Sequence, residues 1–427
     1  MYLILISLIF LSIQSQAKIK HEVFNEIKNK SFELSPEILQ LNTNINQTKA
    51  SLYSQISLAL PQINSFYKKT HDFYSTRNAL LGLSNFKESY GVEYEWTLFE
   101  KNKYLNYEKK NIELKKLDLE LKIKKIQFEG NFTTLFLEHI LYLYQDLILE
   151  NSIKKAEMAK KEASIGFEIG QKTKLDKIKS EANLLTLESK KIQIKNEIQK
   201  SLNKLIEFSG LDLNHFEFLK EQSEVDLLTF IEEFAKIPST FDSQSKSESS
   251  YELELLELQT KQVNIQNNYL NSFHYPKLQI LGSYSNSENN FSNLIHSPFR
   301  NHTVSLLLSI PLFNSGHGVL STIESHYANL LNNKNYEIEK QNFLHSREET
   351  LLKINSLQQE IQSLQKNILL YEELNRLTLK SYQLGKSTLI ELLDSQDSLF
   401  DSKFNLAQLK IQLFSHFQNY LYKSGNL

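Results

Sequence analysis

Phe167-Glu168-Ile169-Gly170-Gln171-Lys172-Thr173 is answered by Tyr382-Gln383-Leu384-Gly385-Lys386-Ser387-Thr388, and the two glycines lie 215 residues apart (385 − 170). The same step carries Pro61 onto Pro276 and Ser35-Pro36-Glu37 onto Ser250-Tyr251-Glu252. Trp96-Thr97-Leu98-Phe99 meets Ile310-Pro311-Leu312-Phe313 one residue out of step. An offset held across such widely spaced landmarks marks a duplicated half-molecule, since solenoid repeats run to only about 20–50 residues. Each half is therefore expected to hold the same elements in the same order. The spacing divides the chain into an N-terminal leader (1–17), a first repeat (18–210), a linker or equatorial segment (211–250) and a second repeat (251–427).

The leader reading rests on Tyr2 to Ile13, an apolar run followed by Ser15-Gln16-Ala17, a small-x-small site ahead of Lys18. A secretory signal peptide is expected there, although its first residues carry no Lys or Arg. The run is too short for a spanning helix, which needs about 20 apolar residues. A membrane location would have to be reached by strands. Of 427 residues only 11 are Gly and 6 are Pro, and no Pro interrupts the stretches from Pro61 to Pro238 or after Pro311. Very long helices are thus permitted in both halves.

The formal charge is −2, so no basic excess points to nucleic acid. With no Cys, disulfides, thiol nucleophiles and Cys-ligated metals are excluded. The 11 His residues are scattered, and no phosphate-binding or dinucleotide fingerprint is present. No cofactor, metal or catalytic residue is expected.

Within each half, Ser35-Pro36-Glu37 reads as a helix start, with a capping hydroxyl, a pre-set φ and a carboxylate at the positive dipole end. Pro61 stops that helix, and the period then changes. Tyr90, Val92, Tyr94, Trp96 and Leu98 alternate with Ser89, Gly91, Glu93, Glu95 and Thr97, as in a membrane-barrel strand with lipid on one side and water on the other. Val304, Leu306, Leu308 and Ile310 form the corresponding lipid-side row in the second half. A hairpin near 62–99 and another near 277–311 follow, joined by polar loops at 74–86 and 285–301. Four strands cannot close a barrel around water, so several chains would have to share one.

After each hairpin a long helix is expected, from Glu100 to about Ser164 and from Asn314 to about Ser381, each reaching roughly 100 Å if continuous. Gly170 and Gly385 then act as helix-to-helix turns, because Gly readily takes positive φ at a helix end. Beyond them, Leu175, Ile178, Ala182 and Leu185, and likewise Leu389, Leu392, Gln396 and Leu399, step by 3 and 4 as in a coiled-coil seam.

This doubled order of short helix, Pro, hairpin, long helix, Gly turn and coiled-coil helix resembles the TolC-like outer membrane efflux proteins. The likeness is carried by Ser35-Pro36-Glu37, Pro61 and Pro276, Ser309-Ile310-Pro311-Leu312-Phe313-Asn314, and Tyr382-Gln383-Leu384-Gly385 with Leu389 to Asp394. It implies an α+β membrane protein: a homotrimer whose chains each give four strands to a 12-stranded outer-membrane β-barrel, continued by a periplasmic helical tunnel. It further implies a passive exit duct in contact with outer-membrane lipid, docked to a periplasmic adaptor and an inner-membrane pump. The family's periplasmic gate falls on Tyr382, Asp176, Glu391 and Asp394, while its arginine position is Ser387. One charged link of the gate is therefore absent.

Two plainer readings stand beside this. A soluble or periplasmic coiled-coil scaffold or adhesion protein would use the same helices, but it would leave the row ending at Trp96 as an exposed apolar patch. Glu93 and Glu95 have the spacing of paired carboxylates for acid–base work, but the wall of a watery barrel accounts for them more simply.

Overall fold

A computed structural model describes residues 21–71, 86–236, 250–270, 275–288, 300–313 and 315–424. The expected leader, most of the 74–86 and 285–301 loops and the serine-rich stretch at 242–249 lie outside them. The described elements are α1 (His21–Leu34), α2 (Pro36–Ser57), β1 (Gln62–His71), β2 (Phe86–Phe99), α3 (Lys101–Glu168), α4 (Lys174–Ser209), α5 (Glu224–Phe234), α6 (Tyr251–Leu270), β3 (Lys277–Glu288), β4 (Arg300–Ser309), α7 (His317–Gln383) and α8 (Leu389–Ser424). Two 3₁₀ turns, Leu213–His215 and Glu217–Glu221, precede α5. In the second hairpin the polar Ser285–Glu288 and Arg300–Asn301 belong to strands, where a loop was expected. Backbone pairing extends the ladder there regardless of side-chain polarity: Ser285 and Asn286 pair with Gly91 and Tyr90 of β2.

The packing divides the chain into two compact units, each drawn from both repeats. One takes the described residues of Met1–Gln40, Leu121–Glu252 and Asn342–Leu427; the other takes those of Leu41–Glu120 and Leu253–Gln341. In the first unit, Phe24 of α1 meets Phe132 and Phe136 of α3 and Phe230 and Phe234 of α5, with ring centroids 4.9–5.9 Å apart. Offset and edge contacts of this kind add to the area that the rings bury. Segment 211–234, expected as a linker or equatorial piece, is thus built into this core. Leu211, Phe216, Leu219, Leu227, Phe230 and Ile231 are all buried in it. The nearly buried Lys410 of α8 fastens α5 by donating to Glu232 Oε1 at 2.6 Å. Removing Glu232 would leave the buried Lys410 charge uncompensated.

The second unit holds the sheet and the helix ends beside it. The last carbonyls of a helix lack intrahelical partners. Those just past α2 are met here by side chains: Lys103 Nζ donates to Leu58 O, and Trp96 Nε1 to Ala59 O, each at 2.9 Å. Helix α6 packs on α3 through Ile265, Leu105 and Ile112. Its contact with α7 has the opposite character, an amide ladder. Asn267 donates to Asn329 (3.0 Å), Asn329 to Asn268 (3.2 Å), and Asn332 to Asn264 and the Thr260 carbonyl (3.0 Å each).

His139, on α3, is buried in the first unit, and its Nδ1–H is given to Ser201 Oγ at 2.9 Å, because that hydroxyl spends its own proton on the Ile198 carbonyl. Burial, with Lys220 nearby, pushes its pKa down to about 4. An unfolded histidine titrates near 6.5, so between these values the unfolded chain binds the extra proton. The stabilisation is complete above pH 6.5 and fades as pH falls to 4, by about 3 kcal/mol in all. Thermal loss of helical circular dichroism should shift less between pH 7 and 4.5 in His139→Gln, which cannot titrate, than in the parent protein.

Candidate functional site

Two places carry the sequence-derived candidates: the faces of the sheet and the tips of the two glycine turns. The sheet is antiparallel throughout, in the order β1-β2-β3-β4. Residues directly opposite in such a ladder share a face. One face carries Ile63–Tyr94–Gly282–Val304, then Trp96–Ile280–Leu306, then Phe99–Leu278–Leu308, with Val92–Tyr284 and Tyr67–Tyr90 on the hairpin-loop side. Tyr94 lies over Gly282, so its ring fills the gap left by the missing side chain. The other face carries Asn64–Glu93–Ser283–Thr303 and Glu95–Leu281–Ser305. Ser283 and Thr303 share a hydrogen bond of 2.8 Å, and Gln279 Nε2 donates to Glu95.

Seven of the nine residues read from sequence as one row therefore share a face: Tyr90, Val92, Tyr94, Trp96, Val304, Leu306 and Leu308. A bulge between Thr97 and Phe99 hands the pairing with Leu278 to Phe99, leaving Leu98 without a Cα partner. Ile310 lies one residue past β4.

Both tips are built by the same local chemistry. Gly170 and Gly385 have φ of 75° and 68°, left-handed values that cost other residues energy. Gln171 N–H donates to Gly166 O at 2.7 Å and Gly170 N–H to Phe167 O at 3.1 Å; Lys386 N–H donates to Ser381 O at 2.8 Å and Gly385 N–H to Tyr382 O at 3.0 Å. This paired closure is the Schellman motif. A capping threonine opens the next helix in each copy. Thr173 exchanges bonds with Asp176, as Thr388 does with Glu391, whose Oε2 accepts from the Thr388 N–H at 3.0 Å and from Ser387 Oγ at 2.9 Å. Asp176 and Glu391 are repeat equivalents that complete capping boxes. Those bonds, the Thr388 N–H foremost, hold the Glu391 carboxyl below its ordinary pKa.

The tips differ in what surrounds this frame. Leu389 and Leu392 are buried with Tyr382, beside Ala159 and Leu393. Their counterparts, 215 residues earlier, are Lys174 and Lys177. In the first copy Leu175, Ile178 and Leu185 are exposed, whereas in the second Leu389, Leu392 and Phe400 are buried. Asp394 is exposed one turn beyond Glu391. Burial, with Glu162 and Asp176 nearby, raises the Tyr382 phenol above its usual range, and Tyr382 Oη is buried without a hydrogen-bond partner among the described residues. Lys172, which in sequence stands with Lys174 and Lys177 around Asp176 and opposite Ser387 of the second copy, has its Nζ 4.2 Å from the centre of the Tyr382 ring, a contact the sequence does not show. Among the described residues no cluster of three or more His, Asp or Glu could hold a metal.

A β-hairpin and a long helical hairpin are each present twice in the chain, and the two β-hairpins join in one antiparallel sheet. Residues 247–419 match the family described as Outer membrane efflux protein. The fold matches the CmeC outer membrane channel of Campylobacter jejuni with a TM-score of 0.79 at 13% identity, covering 95% of this chain and 86% of that one. It matches VceC, an outer membrane protein of Vibrio cholerae, with a TM-score of 0.77 at 13% identity, covering 94% and 95%. CusC matches with a TM-score of 0.78 at 14% identity, covering 95% and 92%. No curated protein matches in sequence. The sequence likeness thus covers the second repeat, and the likeness of fold covers nearly the whole chain, in line with the TolC-like resemblance.

Gly170→Ala and Gly385→Ala should each cost about 1 kcal/mol through φ alone, because a Cβ at either position meets nothing within 4 Å. Amide hydrogen exchange of residues 165–174 and 381–390 should quicken accordingly, each in its own variant.

Proposed function

We propose that the protein is a passive exit duct of the outer membrane, one component of a tripartite efflux or secretion system docked to a periplasmic adaptor and an inner-membrane pump. The observation that carries this is the sheet: one apolar face, one polar face, and bare edges at β1 and β4. In hydrocarbon an unpaired edge is not viable, so the strands must be completed by other copies. Three chains of four strands make a closed barrel of 12, with the Trp96–Ile280–Leu306 face toward lipid and the Glu93–Ser283–Thr303 face toward water. The apolar rows flanked by Tyr67, Tyr90 and Tyr284 at one end and Trp96 at the other fit an apolar band with aromatic girdles. A soluble scaffold would leave that face bare in water.

No catalysis is assigned to the chain; transport energy comes from the partner pump. Three-fold repetition of Asp394 near the second tip makes an acidic ring that favours cations. Glu391 joins the ring only in part, since its carboxylate also caps α8. Tyr382, Asp176 and Ser387 belong to the same gate region, Asp176 and Ser387 through the caps described above.

Detergent-purified protein should run as a trimer and conduct ions in planar bilayers; a monomer without conductance would remove the duct reading. Val304→Arg, in the row between the tyrosines and Trp96, should block membrane assembly, at about 2–4 kcal/mol near mid-membrane, while Ser305→Arg, one residue on and on the other face, should assemble. Asp394→Asn should weaken block by multivalent cations; undiminished block would remove the ring.

A further inference from the structure

Followed toward the hairpin loops, the apolar face of the sheet changes character. On β4 the row of Leu308, Leu306 and Val304 continues as His302 and Arg300. On β1 and β2 the Tyr67–Tyr90 pair is followed by Lys69–Glu88. Asn286 opposes both Tyr90 and Arg300, which sets the arginine on the tyrosine rung. Partners in a ladder share a face, as do residues two apart on one strand. These charges therefore stand on the apolar face and not on the polar one.

Their depth fits a headgroup layer. The helices join the sheet at Gln62, Phe99, Lys277 and Ser309, so Lys69 and Arg300 belong to the opposite end. From Leu308 to Arg300, a strand rising about 3.3 Å per residue and tilted about 40° covers roughly 20 Å of depth. The apolar band of an outer-membrane barrel is about 25 Å tall. At its border a long cationic side chain can lay its stem on apolar surface and keep its charge in the polar layer.

Both cations have capacity to spare. Lys69 Nζ lies 2.9 Å from Glu88 Oε1, with the lysine side chain 58% exposed and the glutamate 7%. An ammonium has three donors, so one bond to Glu88 anchors it and leaves others for an acceptor. Arg300 is exposed, and no carboxylate pairs with it among the described residues. Strands β1 and β4 are the two edges of the sheet. When copies close a barrel, β4 of one lies against β1 of the next, and Arg300 comes onto the same face and the same end as the neighbour's Lys69. A guanidinium fork matches a phosphate in two parallel bonds, and an ammonium adds a compact charge beside it.

We infer that each seam of the assembled barrel binds a phosphorylated glycolipid of the outer leaflet, its phosphate held between Arg300 of one copy and Lys69 of the next. The site rests on the duct reading above, which supplies both the seam and the membrane. Tyr67 and Tyr90 border the lipid below the phosphate, and Glu88 is a positioning residue that acts through Lys69.

The test uses detergent-purified full-length trimer, with conductance in planar bilayers as the check on assembly. Binding of diphosphorylated lipid A is counted by native mass spectrometry, beside its phosphate-free analogue, phosphatidylglycerol and inorganic phosphate. One lipid A per seam is expected. Arg300→Ala and Lys69→Ala should each weaken binding by about fivefold, and Arg300→Lys should lose less. Lys68→Ala removes the same charge from the adjacent residue, exposed on the other face, and should change nothing. Phosphate-free lipid should bind poorly, and inorganic phosphate should not displace lipid A. The site is overturned if Lys68→Ala weakens binding as much as Lys69→Ala, or if the phosphate-free analogue binds as tightly. Equal binding of phosphatidylglycerol overturns the glycolipid assignment, and displacement by inorganic phosphate overturns the lipid one. A conducting trimer whose Arg300 and Lys69 variants hold lipid A like the parent removes the site alone. A parent that forms no conducting trimer removes the duct reading and the site with it.

Discussion

A strand inside hydrocarbon has no water to satisfy its N–H and C=O groups, so every edge must find another strand. Each repeat supplies one hairpin, and β2 and β3 join the two hairpins into one sheet. Duplication has thus removed two edges and left two, at β1 and β4. What remains cannot be solved within the chain. The alternation of side chains then has only one consistent use: the row through Trp96, Ile280 and Leu306 outward and the row through Glu93, Ser283 and Thr303 inward. On the proposed duct reading, closure by further copies follows from the backbone, and the side chains decide only which face is wet.

The helices answer a different demand, that of joining long elements without misregister. Packing on α3 through Ile265, Leu105 and Ile112 supplies apolar area but little register. The amides of Asn264, Asn267 and Asn268 meeting Asn329 and Asn332 supply what the aliphatic contact lacks. A one-turn slip would leave half-buried amides unpaired, and each such loss is expensive compared with the modest gain of a made bond. The aromatic cluster around Phe24 has an equivalent role in the other unit, drawing α1, α3 and α5 onto one centre.

Local signals in the chain made the large elements legible. Proline spacing announced the long helices, period-two alternation announced β2 and β4, and Gly170 and Gly385 announced the turns. What could not be read were contacts between residues far apart in sequence. Leu98 looked like a member of the lipid row because alternation alone cannot show a bulge, which exists only relative to a partner strand. Glu391 looked like a free pore acid because its capping partners, Thr388 and Ser387, are common residues whose geometry is set only once the turn forms. Segment 211–234 looked like a connector because its elements are short and sit beside a polar serine-rich stretch, although Leu227, Phe230, Ile231 and Phe234 keep helical spacing; the phenylalanines it meets decide its place.

The two tips share a frame of four hydrogen bonds around a glycine in the left-handed region and a threonine with its carboxylate, and nothing in that frame depends on the residues that decorate it. Shape and charge at these ends are therefore inherited separately. The first tip has become lysine-rich and the second acidic and leucine-faced while the backbone stayed the same. Such an end behaves as a standard fitting: the thread is fixed, and the surface it presents can be re-cut for a new partner without refolding the pipe.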